Sequence, residues 1–248
     1  MKRVLIGDKR EALLSTLEVM LKHWGYRVIV SSRADQVKAF LEQTSPDLLI
    51  IGAGMLASTS SLMEGINSRI DSAPMPLVVL GEEDSEVKIG IDCETLGVPI
   101  DLFALFEVIQ RHLEKHPRKN LRLTVKLPSL FSSGETSCLA EVMSISTRGM
   151  FVKTAVRMGN RDPVRVVIPL LGMQRELEVC GRVLYCVLPG PENNYLQGVG
   201  IEFTDLDEQT QDTLEGFIEK RFLGELSESR DGGHLNREQL RDAHPPRR

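Results

Sequence analysis

At residue 121 the hydrophobic period of this chain changes, and that change limits the folds open to it. Before about residue 115, short apolar runs alternate with segments whose apolar residues recur every three or four positions. From residue 121 they recur at every second position, and a helical period returns only after residue 205. A helix-covered parallel sheet needs the first kind of pattern and an antiparallel sheet with one wet face needs the second. The chain therefore reads as two architectures in series.

In the first part "RVLIG", "YRVIV", "PDLLIIG" and "PLVVLG" are continuous apolar runs, as expected of strands buried on both faces. Between the first two, Leu13, Leu17, Met20, Leu21 and Trp24 fall at helical spacing, and Gly25 stops that helix. "ADQVKAFLEQ" and "SLMEGINSRI" read as further helices and "PIDLFALFEVIQRHLEKH" as a strong final one, while "SEVKIGIDCETLG" must hold a short helix and a fifth strand. Such alternation predicts an α/β fold with a doubly wound parallel sheet.

In the second part Leu121, Leu123, Val125 and Leu127 point one way, and Arg122, Thr124 and Lys126 the other. "CLAEVMSIS", "MFVKT", "PVRVVIPLL", "ELEVCGRVLYCVL" and "YLQGVGIEF" follow as strands, separated by the turn segments "SSGET", "RMGNRD" and "LPGPENN". Six short strands predict a closed antiparallel barrel, which removes exposed sheet edges. A helix then carries Leu214, Phe217, Ile218 and Phe222 as its apolar stripe, with Asp205 and Glu208 spaced as a capping box. Residues 227–248 are polar and Gly/Pro-punctuated and read as a disordered tail. The expected domains are thus 1–115, 116–226 and that tail.

The net charge of −5 speaks against wholesale binding to DNA, which leaves a basic footprint. Residues 1–116 carry 12 basic and 17 acidic side chains, so the acidity belongs to the first part. "MKRVLIGDKR" has too short an apolar run for a signal peptide, and no run is long enough to span a membrane, so a cytoplasmic location without membrane insertion is expected. Cys93, Cys138, Cys180 and Cys186 form no CxxC pair and read as small buried thiols, the last two sharing a core face. No plausible nucleophile–base pair, metal cluster or P-loop stands out, so neither an enzyme nor a cofactor is expected.

Over residues 1 to about 115 the order of elements resembles a response-regulator receiver domain. A working receiver holds Mg²⁺ with acidic residues after its first strand, phosphorylates an aspartate after the third, and needs a hydroxyl after the fourth and a lysine after the fifth. Here the corresponding positions are Asp8 followed by Lys9, then Gly52, Gly81 and Val98. Glycine has no nucleophile, so aspartyl phosphorylation at Gly52 is impossible. Lys9 puts a positive charge where the cation would sit, and Asp8 alone reads as a solvated strand-end carboxylate. The resemblance implies a pseudo-receiver kept as an interaction domain.

Over residues 116–225 three features in order resemble the PilZ domain, a family of bacterial cyclic di-GMP receptors. "RKNLR" before a strand matches the RxxxR of that family, "SISTRG" matches its (D/N)xSxxG, and "GVGIEF" precedes an acidic helix start. Taken singly, Arg118 and Arg122 read as solvated linker charges, and Ser146 and Gly149 as an ordinary turn. The resemblance implies a ligand site made of Arg118, Arg122, Ser144, Ser146 and Gly149. An arginine fork bonds guanine O6 and N7 together, or phosphate oxygens, which lysine cannot match. Ser146 offers a hydroxyl, and Gly149 permits positive φ and a close backbone approach. Ser144 departs from the pattern, which has Asp or Asn there, and a lost hydrogen bond costs about 1–3 kcal/mol.

The expected function is a cyclic di-GMP-responsive adaptor acting on a protein partner through the pseudo-receiver or the barrel surface, in motility, surface attachment or polysaccharide output. The competing expectation is a protein-interaction adaptor whose nucleotide site has decayed. Oligomeric state stays open.

Overall fold

The computed structural model describes residues 1–81 and 91–228. The described residues divide into two compact units: 1–119 together with 223–228, and Asn120–Phe222.

The first unit runs β1 (Arg3–Gly7), α1 (Glu11–His23), β2 (Arg27–Ser31), α2 (Ala34–Thr44), β3 (Leu48–Gly52), α3 (Ala53–Leu56), α4 (Ser60–Ser72), β4 (Leu77–Gly81), β5 (Glu94–Gly97) and α5 (Leu102–Leu113). The strands form one parallel sheet in the order β2-β1-β3-β4-β5, the order of receiver domains. β3 and β4 are buried along their whole length. Leu5, Leu49, Ile51 and Val79 pack with Val37 and Leu41 of α2 and Leu62 and Ile66 of α4 in one core. The alternate residues Val4, Ile6, Ile50 and Val78 are also fully buried, so both faces of the sheet are covered. Leu13, Leu17, Met20 and Leu21 are buried as their spacing predicts, and Trp24 meets Phe106 of α5 edge to face at 5.1 Å. The fifth strand is present. The helix expected just before it falls largely on residues outside the described ones.

The second unit runs β6 (Leu123–Ser133), β7 (Thr136–Ser146), β8 (Gly149–Lys153), β9 (Pro163–Leu170), β10 (Arg175–Val187) and β11 (Gly198–Thr204), followed by α6 (Glu208–Glu228). The strands close into an antiparallel barrel in the order β10-β11-β8-β7-β6-β9. Leu123, Val125 and Leu127 point inward and are buried, as the alternation predicts. Leu214, Phe217, Ile218 and Phe222 of α6 are buried as expected.

Three expectations need correction. The cap of α6 is Asp207, whose carboxylate accepts from the Thr210 N–H at 2.6 Å. Asp205 instead adopts φ 55° in the preceding turn. Cys180 and Cys186 are exposed: Leu177, Val179, Gly181 and Val183 take the inward positions of β10 and leave Cys180 outside, and Cys186, beyond the bulge near the strand's end, donates to the Met158 carbonyl at 3.2 Å. None of the four thiols is fully buried. As for the tail, α6 extends through Glu228, and residues 229–248 lie outside the described ones.

Candidate ligand-binding site

In the receiver-like unit, Asp8 and Gly52 lie at the ends of β1 and β3. Asp8 there is not solvated: it is 2% exposed. Arg10 holds it with a fork, Nε to Oδ1 at 2.8 Å and Nη2 to Oδ2 at 2.6 Å, and the Arg10 backbone N–H adds a third bond to Oδ1 at 2.9 Å. A buried carboxylate needs such compensation, since desolvation penalises its charge. The carboxylate reaches into the space beside Gly52: a Cβ built there would overlap Asp8 Oδ2 and lie 2.9 Å from Cγ. The glycine thus does more than remove a nucleophile, because it makes room for the Asp8–Arg10 pair. At the other strand ends Val98 is buried, and its N–H donates to the Gly81 carbonyl at 2.9 Å. Among the described residues no three acidic, histidine or cysteine side chains are grouped to hold a metal ion.

The barrel brings together a different set of residues. β6 and β7 pair with Leu123 opposite Ile145 and Thr124 opposite Ser144. Arg122 directly precedes Leu123, the first residue of β6. Ser146 faces Gly149 across the β7–β8 hairpin, and Ser144 faces Phe151. A bulge between Val142 and Ser144 matters here. Val142 is buried within the barrel, and strict alternation would send Ser144 the same way. The extra residue, Met143, turns Ser144 outward instead. Bulges re-aim side chains in this manner.

Two outward rows result. One runs Thr124, Ser144, Phe151, Gly200, Tyr185 across β6, β7, β8, β11 and β10. The next runs Ser146, Gly149, Glu202, Arg182, ending in an Arg182–Glu202 ion pair of 2.6 Å. Ser146 is 5% exposed. Its hydroxyl donates to the Gly149 carbonyl at 3.0 Å and its oxygen is 3.4 Å from the Arg148 N–H. It therefore braces the hairpin.

Gly149 departs from its expected role in one respect. It is not among the residues with positive φ. Glycine is needed there for close approach: a Cβ would overlap the Ile201 carbonyl oxygen of β11 and lie 3.4 Å from Glu202 Cα.

The two arginines belong to different units. Arg122 precedes β6, and its side chain is exposed. Arg118 belongs to the first unit, where its N–H donates to Gln110 Oε1 at 3.0 Å. Gln110 Nε2 donates to the Tyr26 hydroxyl at 3.2 Å, and that hydroxyl donates to Glu114 Oε1 at 2.8 Å. Burial and the adjacent Glu114 carboxylate push the Tyr26 phenol far above its ordinary range. Among the described residues neither arginine side chain makes an ion pair, so both forks are available to an anion.

Two outward aromatic residues, Phe151 and Tyr185, escaped the sequence reading. A weak signal was present in "GVG", whose alternate glycines, Gly198 and Gly200, leave the first half of the outer face of β11 without side chains.

Residues 115–220 match the family described as PilZ domain. Among curated proteins none matches the chain. Among solved structures, the chain is similar to the Bacillus subtilis inhibitor of motility MotI/DgrA at 18% identity, over 44% of this chain and 52% of that one, with a TM-score of 0.39. It thus spans about half the length of that protein. It is also similar to the PilZ domain of YcgR from Escherichia coli, solved with c-di-GMP, at 11% identity, over 46% and 97% of the two chains, with a TM-score of 0.37. A response regulator receiver protein from Burkholderia phymatum is similar at 15% identity, over 47% and 98%, with a TM-score of 0.39. No helix among the described residues is long and apolar enough to cross a membrane. The family match covers the whole barrel and the arginine-bearing segment before it, and beside it stands a parallel sheet wound in receiver order: this chain carries a PilZ domain over residues 115–220, together with a receiver-like α/β unit.

Proposed function

We propose that this protein is a cyclic di-GMP-responsive adaptor, in which the PilZ domain takes the nucleotide and the receiver-like unit or the barrel surface engages a protein partner. The observation that carries the reading is the row of outward residues beginning at Thr124 and Ser144, with Ser146 in the next outward row and Arg122 directly before β6. Guanidinium forks at Arg118 and Arg122 suit the phosphates and guanine edges of cyclic di-GMP, and Ser144 offers a hydroxyl to a base edge. In the receiver-like unit Gly52 offers no nucleophile and Arg10 holds Asp8, which supports a role for this unit in binding rather than phosphoryl transfer. Binding modules of this kind act by presenting a changed surface, in keeping with control of motility, attachment or polysaccharide output.

A second reading, a protein-interaction adaptor that takes no nucleotide, has one observation in its favour. The Ser146 hydroxyl already donates within the hairpin, and Ser144 supplies less than a carboxylate would. Calorimetric titration of the purified protein with cyclic di-GMP separates the two. Saturable binding at micromolar concentration or tighter supports the receptor, and no heat of binding leaves the interaction adaptor.

A further inference from the structure

We propose that Phe151 and Tyr185 form a stacking platform for a purine base, extending the ligand site from Ser144 across β8 to β10. The inference rests on the receptor reading above and adds a subsite to it. Four observations carry it, all within the barrel.

First, the two rings lie on the outer face, nearly parallel, at 18° with centroids 6.3 Å apart. Second, they sit over glycines. A Cβ on Gly200 would overlap the Tyr185 ring, whose Cδ1 would be 2.7 Å away, and a Cβ on Gly198 would meet Phe151 Cζ at 2.8 Å. A larger residue at Gly200 or Gly198 would lift the rings off the sheet.

Third, Tyr185 owes its position to a bulge. Val183 pairs with Ile201 and Tyr185 with the next residue, Gly200, so Leu184 is the extra residue. Without the bulge, Tyr185 would share the inward side of Val183. Fourth, a separate bulge on β7 turns Ser144 outward onto the same row. Two bulges on different strands therefore send a hydroxyl and an aromatic ring to one level of the outer face, with only β8 and β11 between their strands.

Adjacent strands are about 4.8 Å apart, so Ser144 sits directly beside Phe151. Tyr185 stays 45% exposed despite its ring, and that open surface is what a base would cover. Aromatic platforms bind any base through its π-face. Selection of guanine would then fall to Ser144 and the arginine forks.

A purely structural role, covering Gly200, predicts that any apolar side chain suffices at 185. The test uses the full chain, calorimetry with cyclic di-GMP, and thermal melting of each variant. Tyr185→Phe should bind within about twofold of the wild type. Tyr185→Leu still covers Gly200 but has no π-face, and should bind about tenfold more weakly or worse with its melting temperature little changed. Tyr185→Trp should show emission quenched by the ligand beyond any change in the wild type. A Leu variant that binds like the wild type, or a Trp variant without quenching, overturns the subsite and leaves the receptor reading standing. A wild type that binds no cyclic di-GMP overturns both.

Discussion

The carboxylate of Asp8 occupies the space that a side chain on Gly52 would need. In a receiver-like sheet those strand ends are where a phosphoacceptor and its metal would meet. Here Arg10 supplies the positive charge from within the chain, through two guanidinium bonds and one backbone bond. A side chain placed at residue 52 must therefore displace the Asp8–Arg10 pair.

Acetyl phosphate with Mg²⁺ should leave both the wild type and Gly52→Asp unmodified, as read by intact mass. Gly52→Asp should also destabilise the first unit, by about 1–3 kcal/mol for an overpacked site, and more if the two carboxylates stay charged side by side. Adding Asp8→Ala should recover much of that loss. A phosphoryl adduct on either protein would show that the Asp8–Arg10 pair does not block the centre.

Tyr26 should make the first unit sensitive to alkali. Its folded-state pKa is raised from an ordinary 10.0 by burial and by Glu114. Below pH 10 the phenol is protonated in both the folded and unfolded chains, and its contribution to stability is complete. As pH rises past about 10, the unfolded chain releases the proton while the folded one retains it, so stability falls. Melting temperatures between pH 9 and 11.5 should decline more steeply for the wild type than for Tyr26→Phe. Equal slopes would mean that the phenol is not held in this network.

Gly149→Ala should unfold the barrel's hairpin region before it affects any ligand. The added Cβ meets the Ile201 carbonyl, a backbone atom in the middle of β11 that cannot swing aside. A cost of about 1–3 kcal/mol or more is expected, visible as a lower denaturant midpoint without any nucleotide present. Weakened binding in this variant would then be a folding effect and no evidence for a contact.

Much of this architecture was legible in the sequence, because burial imposes its period directly. The continuous runs of β3 and β4 and the strict alternation of β6 each give a burial pattern that matches the apolar pattern. What the pattern could not reveal depends on single insertions and on local competition. One extra residue at Leu184 changes which residues of β10 face out, and the inward run of Leu177, Val179, Gly181 and Val183 leaves Cys180 outside. Asp205 and Asp207 are equally plausible caps by composition, and only backbone geometry selects Asp207. Asp8 read as solvated because its partner is two residues away in a bend, a relation without any periodic signature. At the candidate site, the hairpin residues were legible from their motif, whereas the aromatic row required the register of five strands.

Arg122→Ala and Arg118→Ala should each weaken cyclic di-GMP binding at least tenfold, since each removes a charge-assisted fork. Both side chains are exposed, so melting temperatures should hardly move. The two variants differ in one respect. The Arg118 bond to Gln110 uses the backbone N–H and survives truncation, so any loss in Arg118→Ala reports the guanidinium alone. Wild-type binding undiminished in both variants would put the ligand elsewhere.

Ser144 is the sharpest test of the site, because the structure turns it outward beside Phe151 while the sequence departs there from the family pattern. Ser144→Asp should supply a second acceptor to a guanine edge. The expected gain is one hydrogen bond involving a charged group, about 1.5–3 kcal/mol, which is roughly ten- to a hundredfold in affinity. Repulsion between the new carboxylate and the ligand's phosphates opposes this gain. The solvent around this half-buried position screens that repulsion, so the gain should win. Ser144→Asn separates the two effects, since its amide oxygen accepts without adding charge. Tighter binding by Asn but not by Asp would keep Ser144 in the site and show repulsion to be the larger effect. Unchanged affinity in both variants, against measurable binding by the wild type, would mean that the bulge at Met143 turns Ser144 toward solvent and away from the ligand.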